Sequence, residues 1–385
     1  MQSVIVGLGH TQFGRLDGTL EDLIQQAARD ALADAGLGGG DIDAVWLGNF
    51  NAGMVPDGFC ASMILGADDG LRFKPATRCE NACASGSAAL YAAMDAIASG
   101  RIRSALVVGA EKMTAVDGPT VTKALGAASY QKEEAGMSFP QIFAEFAKAY
   151  ATKYADPLDA MAVIAAKNHA AAMGNPLAQL HKSLSVEFCR AVSDKNPLIA
   201  DPLKMTDCSL VSDGAAAVVL VRADMARDFR RAVGFRAAVQ VSDFLPLSKK
   251  ELTAFEGPRR AFDKAFGQAG VALSDIAFAE VHDCFTIAEL LAVEAMGLAA
   301  PGRGVAAVLE GWTQRDGRLP VNMSGGLKAK GHPVGATGVS MHVIAARQLT
   351  GEAGDMQLPD PGLGMIFNMG GGAVANYVSI LERVN

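Results

Sequence analysis

The sequence predicts an α/β protein with a duplicated half and an inserted lobe, and three observations carry that reading. Strand-like apolar runs alternate with Ala-rich helical stretches along the 385 residues, the pattern of sheets covered by helices. Ala35-Gly36 followed by Asp41-Ile42, just ahead of Val45, recurs as Ala269-Gly270 followed by Asp275-Ile276, just ahead of Val281. Cys83-Ala84-Ser85-Gly86 likewise resembles Gly335-Ala336-Thr337-Gly338, and each opens a helical run, to Ile97 and to Leu349. A helix, a turn and a strand recurring in register make duplication the economical reading. The expected boundaries are 1–111 with 206–245 for the first half, 112–205 for the inserted lobe and 246–385 for the second half.

The elements follow in order. Residues 3–9 read as a strand rather than a cleavable signal. Further strands are expected at 44–48, 104–109, 216–221, 277–281, 365–368 and 376–381. Residues 112–205 break the repeat and carry Lys123, Lys132, Lys148, Lys153, Lys167, Lys182 and Lys195, with Met and Phe around Gly136-Met137-Ser138-Phe139-Pro140. That stretch reads as a more helical lobe over the site, since long insertions are often functional. Half of the residues are apolar, so core material is ample for two or three domain-sized units.

Several function classes fall away on composition. A net charge of −7 without a basic run argues against nucleic acid. Charges interrupt every apolar stretch before the roughly 18 residues a membrane span needs. The six cysteines lack metal-ligand spacing: Cys79 and Cys83 are four apart, but no second cysteine–histidine pair completes a zinc set. No metal and no tightly bound cofactor are expected, and a reducing, cytoplasmic setting fits best.

Four segments carry candidate chemistry. In Glu80-Asn81-Ala82-Cys83-Ala84-Ser85-Gly86-Ser87 a cysteine stands at a helix start among small residues. Free N–H groups and the positive end of the helix dipole are expected to favour its thiolate; inert packing is the alternative. Glu280-Val281-His282-Asp283-Cys284-Phe285-Thr286 follows a strand, and extended geometry puts His282 and Cys284 on one side. Lys330-Gly331-His332-Pro333-Val334-Gly335 sets His332 in a tight turn ahead of a helix. Asn368-Met369-Gly370-Gly371-Gly372 leaves backbone N–H groups unobstructed, as an oxyanion site needs, or forms a simple turn.

Together these segments resemble the thiolase superfamily from end to end. The resemblance implies a thiolase fold, a duplicated five-layered αβαβα core with an inserted loop domain. It is closest to the thiolases related to sterol carrier protein, in which His-Asp-Cys-Phe stands in for the Asn-Glu-Ala-Phe of other thiolases. Those others keep their catalytic acid/base in a C-terminal Cys-x-Gly-Gly-Gly, where this sequence has Asn368, so the second thiol has moved to Cys284. The sequence ends at Asn385, directly after this region, and no sterol carrier domain is expected.

The resemblance also implies a mechanism. Cys83 takes the acyl group from an acyl-CoA thioester, His332 accepts the thiol proton, and Cys284 exchanges a proton with the α-carbon of a second acyl-CoA. His282 and His332 form one oxyanion hole, and the N–H groups of Cys83 and Gly370 form the other. Ser209 and Met137 fall where thiolases contact CoA, which is substrate and product rather than a resident cofactor. A homodimer or homotetramer is implied, with a small OB-fold protein as a possible partner and neither nucleic acid nor membrane. The expected activity is an acyl-CoA C-acyltransferase that makes or cleaves a 3-ketoacyl-CoA. The alternatives are a decarboxylating ketoacyl synthase, an acyltransferase or retro-aldolase of a multi-subunit complex, and a largely non-catalytic scaffold subunit.

Overall fold

The computed structural model describes residues 2–384. The first half contains β1 (Ser3–His10), α1 (Leu20–Ala35), β2 (Ala44–Gly48), β3 (Ala76–Cys79), α2 (Ser85–Ala98) and β4 (Ser104–Lys112). A long excursion follows, through α3 (Gly118–Gly126), α4 (Phe139–Lys153), α5 (Leu158–Ala172), α6 (Val186–Arg190) and the small pair β5 (Leu198–Ala200) and β6 (Leu203–Lys204). The chain then returns as β7 (Asp213–Arg222). The second half contains β8 (Val233–Ser242), α7 (Glu256–Ala269), β9 (Phe278–Val281), α8 (Thr286–Ala295), α9 (Gly304–Leu309), α10 (Thr337–Thr350), β10 (Leu363–Gly370) and β11 (Ala375–Arg383).

The sequence repeat is a structural repeat. The sheet runs β3-β2-β4-β7-β1 and continues β8-β11-β10-β9, so the second half mirrors the first strand for strand. The halves join where Val4 pairs with Gly234 and Ile5 with Val233. Beyond β9, a parallel bridge between Ala279 and Val321 occupies the place that β3 holds in the first half. α1 and α7 both end on a left-handed glycine, Gly36 (φ 69°) and Gly270 (φ 66°). A single 3-10 turn follows each, at Gly39–Asp41 and Leu273–Asp275, before the next strand. At these two glycines the chain turns off the helix in a conformation that costs any residue with a Cβ.

Strand periodicity divides the apolar residues between layers. Val4, Val6, Leu106, Val108, Val219 and Val221 share a core with α1 on the outer face. Ile5, Trp46, Val107, Val218 and Leu220 point the other way, into the core that contains α2. α2 and α10 fill the middle layer, since α10 packs on β4 and β7 of one half and on β10 and β11 of the other. α7 covers β8 and β11 from outside. The αβαβα order expected of a thiolase fold is the order observed.

The middle helices cross where neither has a side chain in the way. A Cβ on Gly86 would lie 2.8 Å from the Gly335 carbonyl oxygen, and one on Gly338 would lie 2.3 Å from the Ser87 nitrogen. Both obstructions are backbone, so relief requires the helices to separate. Gly338→Ala is therefore expected to destabilise the protein by about 1–3 kcal/mol or more, the usual range for overpacking. Thermal unfolding checks this, and an unchanged midpoint would show that the crossing tolerates the extra carbon.

Candidate active site

Four loops converge above this crossing. Cys83 lies two residues ahead of α2, and the preceding Ala82 is left-handed (φ 50°) although it is not glycine. The turn is held from within: Ser85 Oγ donates to the Ala82 carbonyl (2.6 Å) and accepts from Asn81 N–H (2.9 Å). His282 and Cys284 follow β9, His332 precedes α10, and Asn368 lies in β10. A ring nitrogen of His282, one of His332 and Cys83 Sγ all lie within 4.8 Å of one another. The two rings meet edge to face with centroids 5.1 Å apart. A narrow cavity of about 50 Å³ opens between them, lined also by Cys284, Ser209, Phe139 and Val334.

Both histidines have one nitrogen committed elsewhere. His332 Nδ1 bonds Thr337 Oγ1 (2.7 Å), and Thr337 Oγ1 donates to the Pro333 carbonyl (3.0 Å). His332 Nε2 is buried without a hydrogen-bond partner among the described residues. Asn368 Nδ2 donates to His282 Nδ1 (3.0 Å) and to the Cys83 carbonyl (3.2 Å), while Ser87 Oγ donates to Asn368 Oδ1 (2.8 Å). The Nε2 atoms are thus the ones left to face a substrate.

Buried polar groups fasten the loops to each other. The Asp283 carboxylate accepts from the N–H groups of Leu327 (2.6 Å) and Lys328 (3.3 Å), tying the His282 loop to the segment that leads to His332. Asn168 of α5 donates to Asp283 (2.7 Å) and to Glu289 (2.8 Å), and Lys167 pairs with Glu289 at 3.0 Å. On the other side Glu111, at the end of β4, accepts from the N–H groups of Phe50 (2.9 Å), Asn51 (2.9 Å) and Gly335 (3.1 Å). Burial raises the Glu111 and Asp283 carboxyls to about 7.

Electrostatics correct one expectation. The helix start does not make Cys83 a thiolate: burial first, then the Glu111 charge, pushes its thiol up to about 12, against a smaller opposing effect of the Gly371 N–H. Desolvation outweighs the dipole because the half-buried Cys83 sits in a narrow cavity walled in part by Leu125, Phe139, Phe285 and Val334. Burial likewise lowers His332 to about 3, aided by Lys330, and lowers His282 well below the usual imidazole range, aided by His332. It holds Cys284 well above the usual thiol range. At neutral pH all four groups are uncharged.

The remaining sequence candidates divide. Ser209 lines the cavity, and its N–H donates to the Cys284 carbonyl (2.8 Å). Met137 does not line it; Phe139 and Leu125 of the same lobe do. Gly370 sits with its α-carbon against the Asn81 carbonyl, where a Cβ would come within 2.2 Å, and the N–H that reaches Cys83 is that of its neighbour Gly371. Sequence reasoning passed over Thr337, Asp283 and Glu111, and it read Asn368 only as a missing cysteine. The clue to Asp283 was its place between His282 and Cys284. Glu111 gave no signal, because its partners Phe50, Asn51 and Gly335 are distant in sequence, whereas Thr337 stands only five residues from His332.

A second cavity of about 440 Å³ is lined by Lys182, Lys195, Lys328, His169, Met205 and Leu210. Lys328 is 2% exposed, and among the described residues its ammonium makes no hydrogen bond or ion pair and His169 Nε2 is buried without a partner. Consecutive residues Ser209 and Leu210 therefore line the two cavities.

The family model described as thiolase, N-terminal domain matches residues 3–224, and that described as thiolase C-terminal domain-like matches residues 240–383. The chain belongs to the thiolase family. It is 39% identical over 384 residues to an acetyl-CoA acetyltransferase of Methanothermobacter thermautotrophicus, covering 98% of this chain and 99% of that protein. It is 31% identical over 400 residues to sterol carrier protein 2 of Oryctolagus cuniculus, covering 96% of this chain and 70% of that protein. Among solved structures, the Ltp2-ChsH2(DUF35) aldolase superposes with a TM-score of 0.84 at 22% identity, covering 99% of this chain and 98% of that one. That likeness establishes the shared thiolase fold.

The electrostatics have a direct consequence for reactivity. With the thiol raised to about 12, the thiolate fraction of Cys83 rises tenfold per pH unit through the neutral range. Alkylation of Cys83 by iodoacetamide is expected to accelerate steadily from pH 6 to 9 with no plateau. A rate already level at pH 6 would mean that the helix start does hold a thiolate.

Proposed function

We propose that this protein is an acyl-CoA C-acyltransferase, a thiolase that makes or cleaves a 3-ketoacyl-CoA through an acyl-Cys83 intermediate. The observation that carries the reading is the convergence of Cys83, His282 and His332 within 4.8 Å around a cavity that also contains Cys284. The full-length relationship to an acetyl-CoA acetyltransferase supports it.

In the cleavage direction His332 Nε2 takes the proton of Cys83, and the sulfur adds to the 3-keto carbon. The carbon–carbon bond then breaks, leaving the acyl group on sulfur and an enolate thioester, and Cys284 gives its proton to the α-carbon. The Cys284 thiolate next accepts the proton of incoming CoA, whose sulfur takes the acyl group from Cys83, and His332 returns its proton to the released Cys83 sulfur. Condensation is the reverse. The resting proton inventory, two thiols and two neutral imidazoles, is the one that the first cleavage step needs. His282 and His332 hold the enolate oxygen, and backbone N–H groups at Cys83 and Gly371 hold the acyl carbonyl, each donor contributing on the order of 10²–10³ in rate.

Retention of Cys83 disfavours a pure scaffold, and a second thiol beside His282 disfavours decarboxylating condensation, which needs no α-carbon base. The lysine-lined cavity supports a place for the CoA phosphates, with Ser209 beside the pantetheine arm. An oligomer is part of the proposal: among the described residues β3 has a strand neighbour on one side only, and Phe59 and Phe73 are exposed. A small OB-fold protein remains the proposed partner where one is required.

Cys83→Ala is expected to abolish transfer of radiolabelled acetyl from acetyl-CoA to protein. Cys284→Ala should still be labelled yet lose carbon–carbon bond formation and cleavage by at least 10³-fold, on the order expected for loss of a general acid–base group; normal condensation by this variant ends the assignment. Lys328→Met should raise KM for acetyl-CoA about tenfold while leaving acetyl transfer from a short N-acetylcysteamine thioester unchanged, in keeping with loss of one charged contact.

A further inference from the structure

The two site histidines are chemically alike in sequence, yet their surroundings differ in a way that decides which nitrogen carries the proton. A backbone carbonyl can only accept a hydrogen bond, so any group bonded to one must be donating. Two carbonyls impose this on the site.

The Pro333 carbonyl is bonded by Thr337 Oγ1 at 3.0 Å. The single hydroxyl proton is therefore used there, and the oxygen meets His332 Nδ1 (2.7 Å) as an acceptor. His332 then carries its proton on Nδ1, and its unpartnered Nε2 presents a lone pair.

The Cys83 carbonyl is bonded by one terminal atom of the Asn368 amide at 3.2 Å, and that atom must be the NH₂ group. The same nitrogen lies 3.0 Å from His282 Nδ1 and spends its second proton on it. Ser87 Oγ, donating to Asn368 Oδ1 at 2.8 Å, anchors the other end of the amide. Turning the amide over would set its oxygen against the Cys83 carbonyl, acceptor against acceptor, so the hydrogen bonds fix its orientation. His282 Nδ1 is thereby an acceptor, and His282 carries its proton on Nε2. Burial keeps both rings neutral, so neither gains a second proton that would erase the distinction.

We propose that Asn368 is a positioning residue that locks His282 in the Nε2–H tautomer, opposite to the tautomer of His332, and so divides their roles. His332 is the sole proton acceptor of the pair, and His282 is a fixed donor to the enolate oxygen. Asn368 touches no reacting atom; it acts through His282. The division of roles rests on the thiolase reading, whereas the tautomers do not.

Histidine ¹⁵N NMR on the intact protein reads the tautomers directly, with signals assigned by His282→Gln and His332→Gln. The expected spectrum shows an unprotonated Nδ1 at His282 and an unprotonated Nε2 at His332. Asn368→Asp, which keeps the shape but can no longer donate, should move the His282 proton to Nδ1 and leave His332 as it was. In the same variant, acetyl labelling of Cys83 should stay within about threefold, while condensation falls on the order of 10²–10³-fold, the loss of one oxyanion donor. Asn368→Ala, which frees the ring without a charge, should fall between the two in condensation. A wild-type His282 protonated on Nδ1 overturns the proposal, as does a variant whose tautomer switches without changing the ratio of condensation to labelling. Failure of the wild type to be labelled at all would instead refute the thiolase reading, and the NMR result would still decide the tautomers.

Discussion

The structure depends on the close crossing of α2 and α10 at Gly86, Gly335 and Gly338. Each helix opens at a loop that carries a reactive group, Cys83 in one and His332 in the other, so the distance between the helix axes sets the distance between sulfur and imidazole. Side chains at the crossing would hold the helices farther apart. Gly86 and Gly338, in the first turns of their helices, cost helix stability relative to alanine, up to about 0.5–1 kcal/mol each. Burial of the middle layer between two sheet halves offsets it. The duplication supplies the geometry: two copies of a helix start, turned toward each other, produce one interior that neither half has alone.

Around that crossing the protein places charge where charge is unfavourable, and it does so only in networks. Asp283, Glu289, Lys167 and Glu111 are almost wholly buried. An isolated buried ion would cost several kcal/mol, so each is bonded to several donors or paired. Two of these groups end at loops of the site: Asp283 at the approach to His332, Glu111 at Gly335. The inserted lobe joins the same system through Lys167 and Asn168 of α5, so the cover of the cavity and its floor share hydrogen bonds. The site is neutral where the chemistry occurs, and its buried carboxyl networks lie one layer behind it.

Much of this was legible in the sequence, for identifiable reasons. Ala35-Gly36 and Ala269-Gly270 announced the repeat because a left-handed helix end all but requires glycine, and the constraint is local. Cys83, His282, Cys284 and His332 stood out because reactive side chains beside small residues at element ends are rare. What stayed hidden is non-local. The expectation of a Cys83 thiolate used the helix end, a local feature, and missed the desolvation that only the assembled cavity imposes. The shift from Gly370 to Gly371 reflects N–H directions that change from one residue to the next, and the shift from Met137 to Phe139 reflects the start of α4 at Phe139, both finer than a motif can resolve. Thr337 and Glu111 are ordinary in sequence and matter only through their partners.

Asn368 and Cys284 belong to one arrangement. Both protons of the Asn368 amide are used, one on the Cys83 carbonyl and one on His282, and its oxygen is held by Ser87. A residue so occupied cannot also exchange protons with a substrate carbon, so in the proposed mechanism the acid/base thiol stands elsewhere. Cys284 is the position that keeps it in the cavity, on the loop that already carries His282, with Ser209 holding its backbone carbonyl. A histidine in the oxyanion hole needs its tautomer set, which a side-chain amide lacking alternative protonation states does not. In the proposed mechanism His282 creates a need that Asn368 meets, and the acid/base role falls to Cys284. His282 and Asn368 are coupled through hydrogen-bond capacity, and exchanging either one alone leaves a proton or a lone pair without its counterpart.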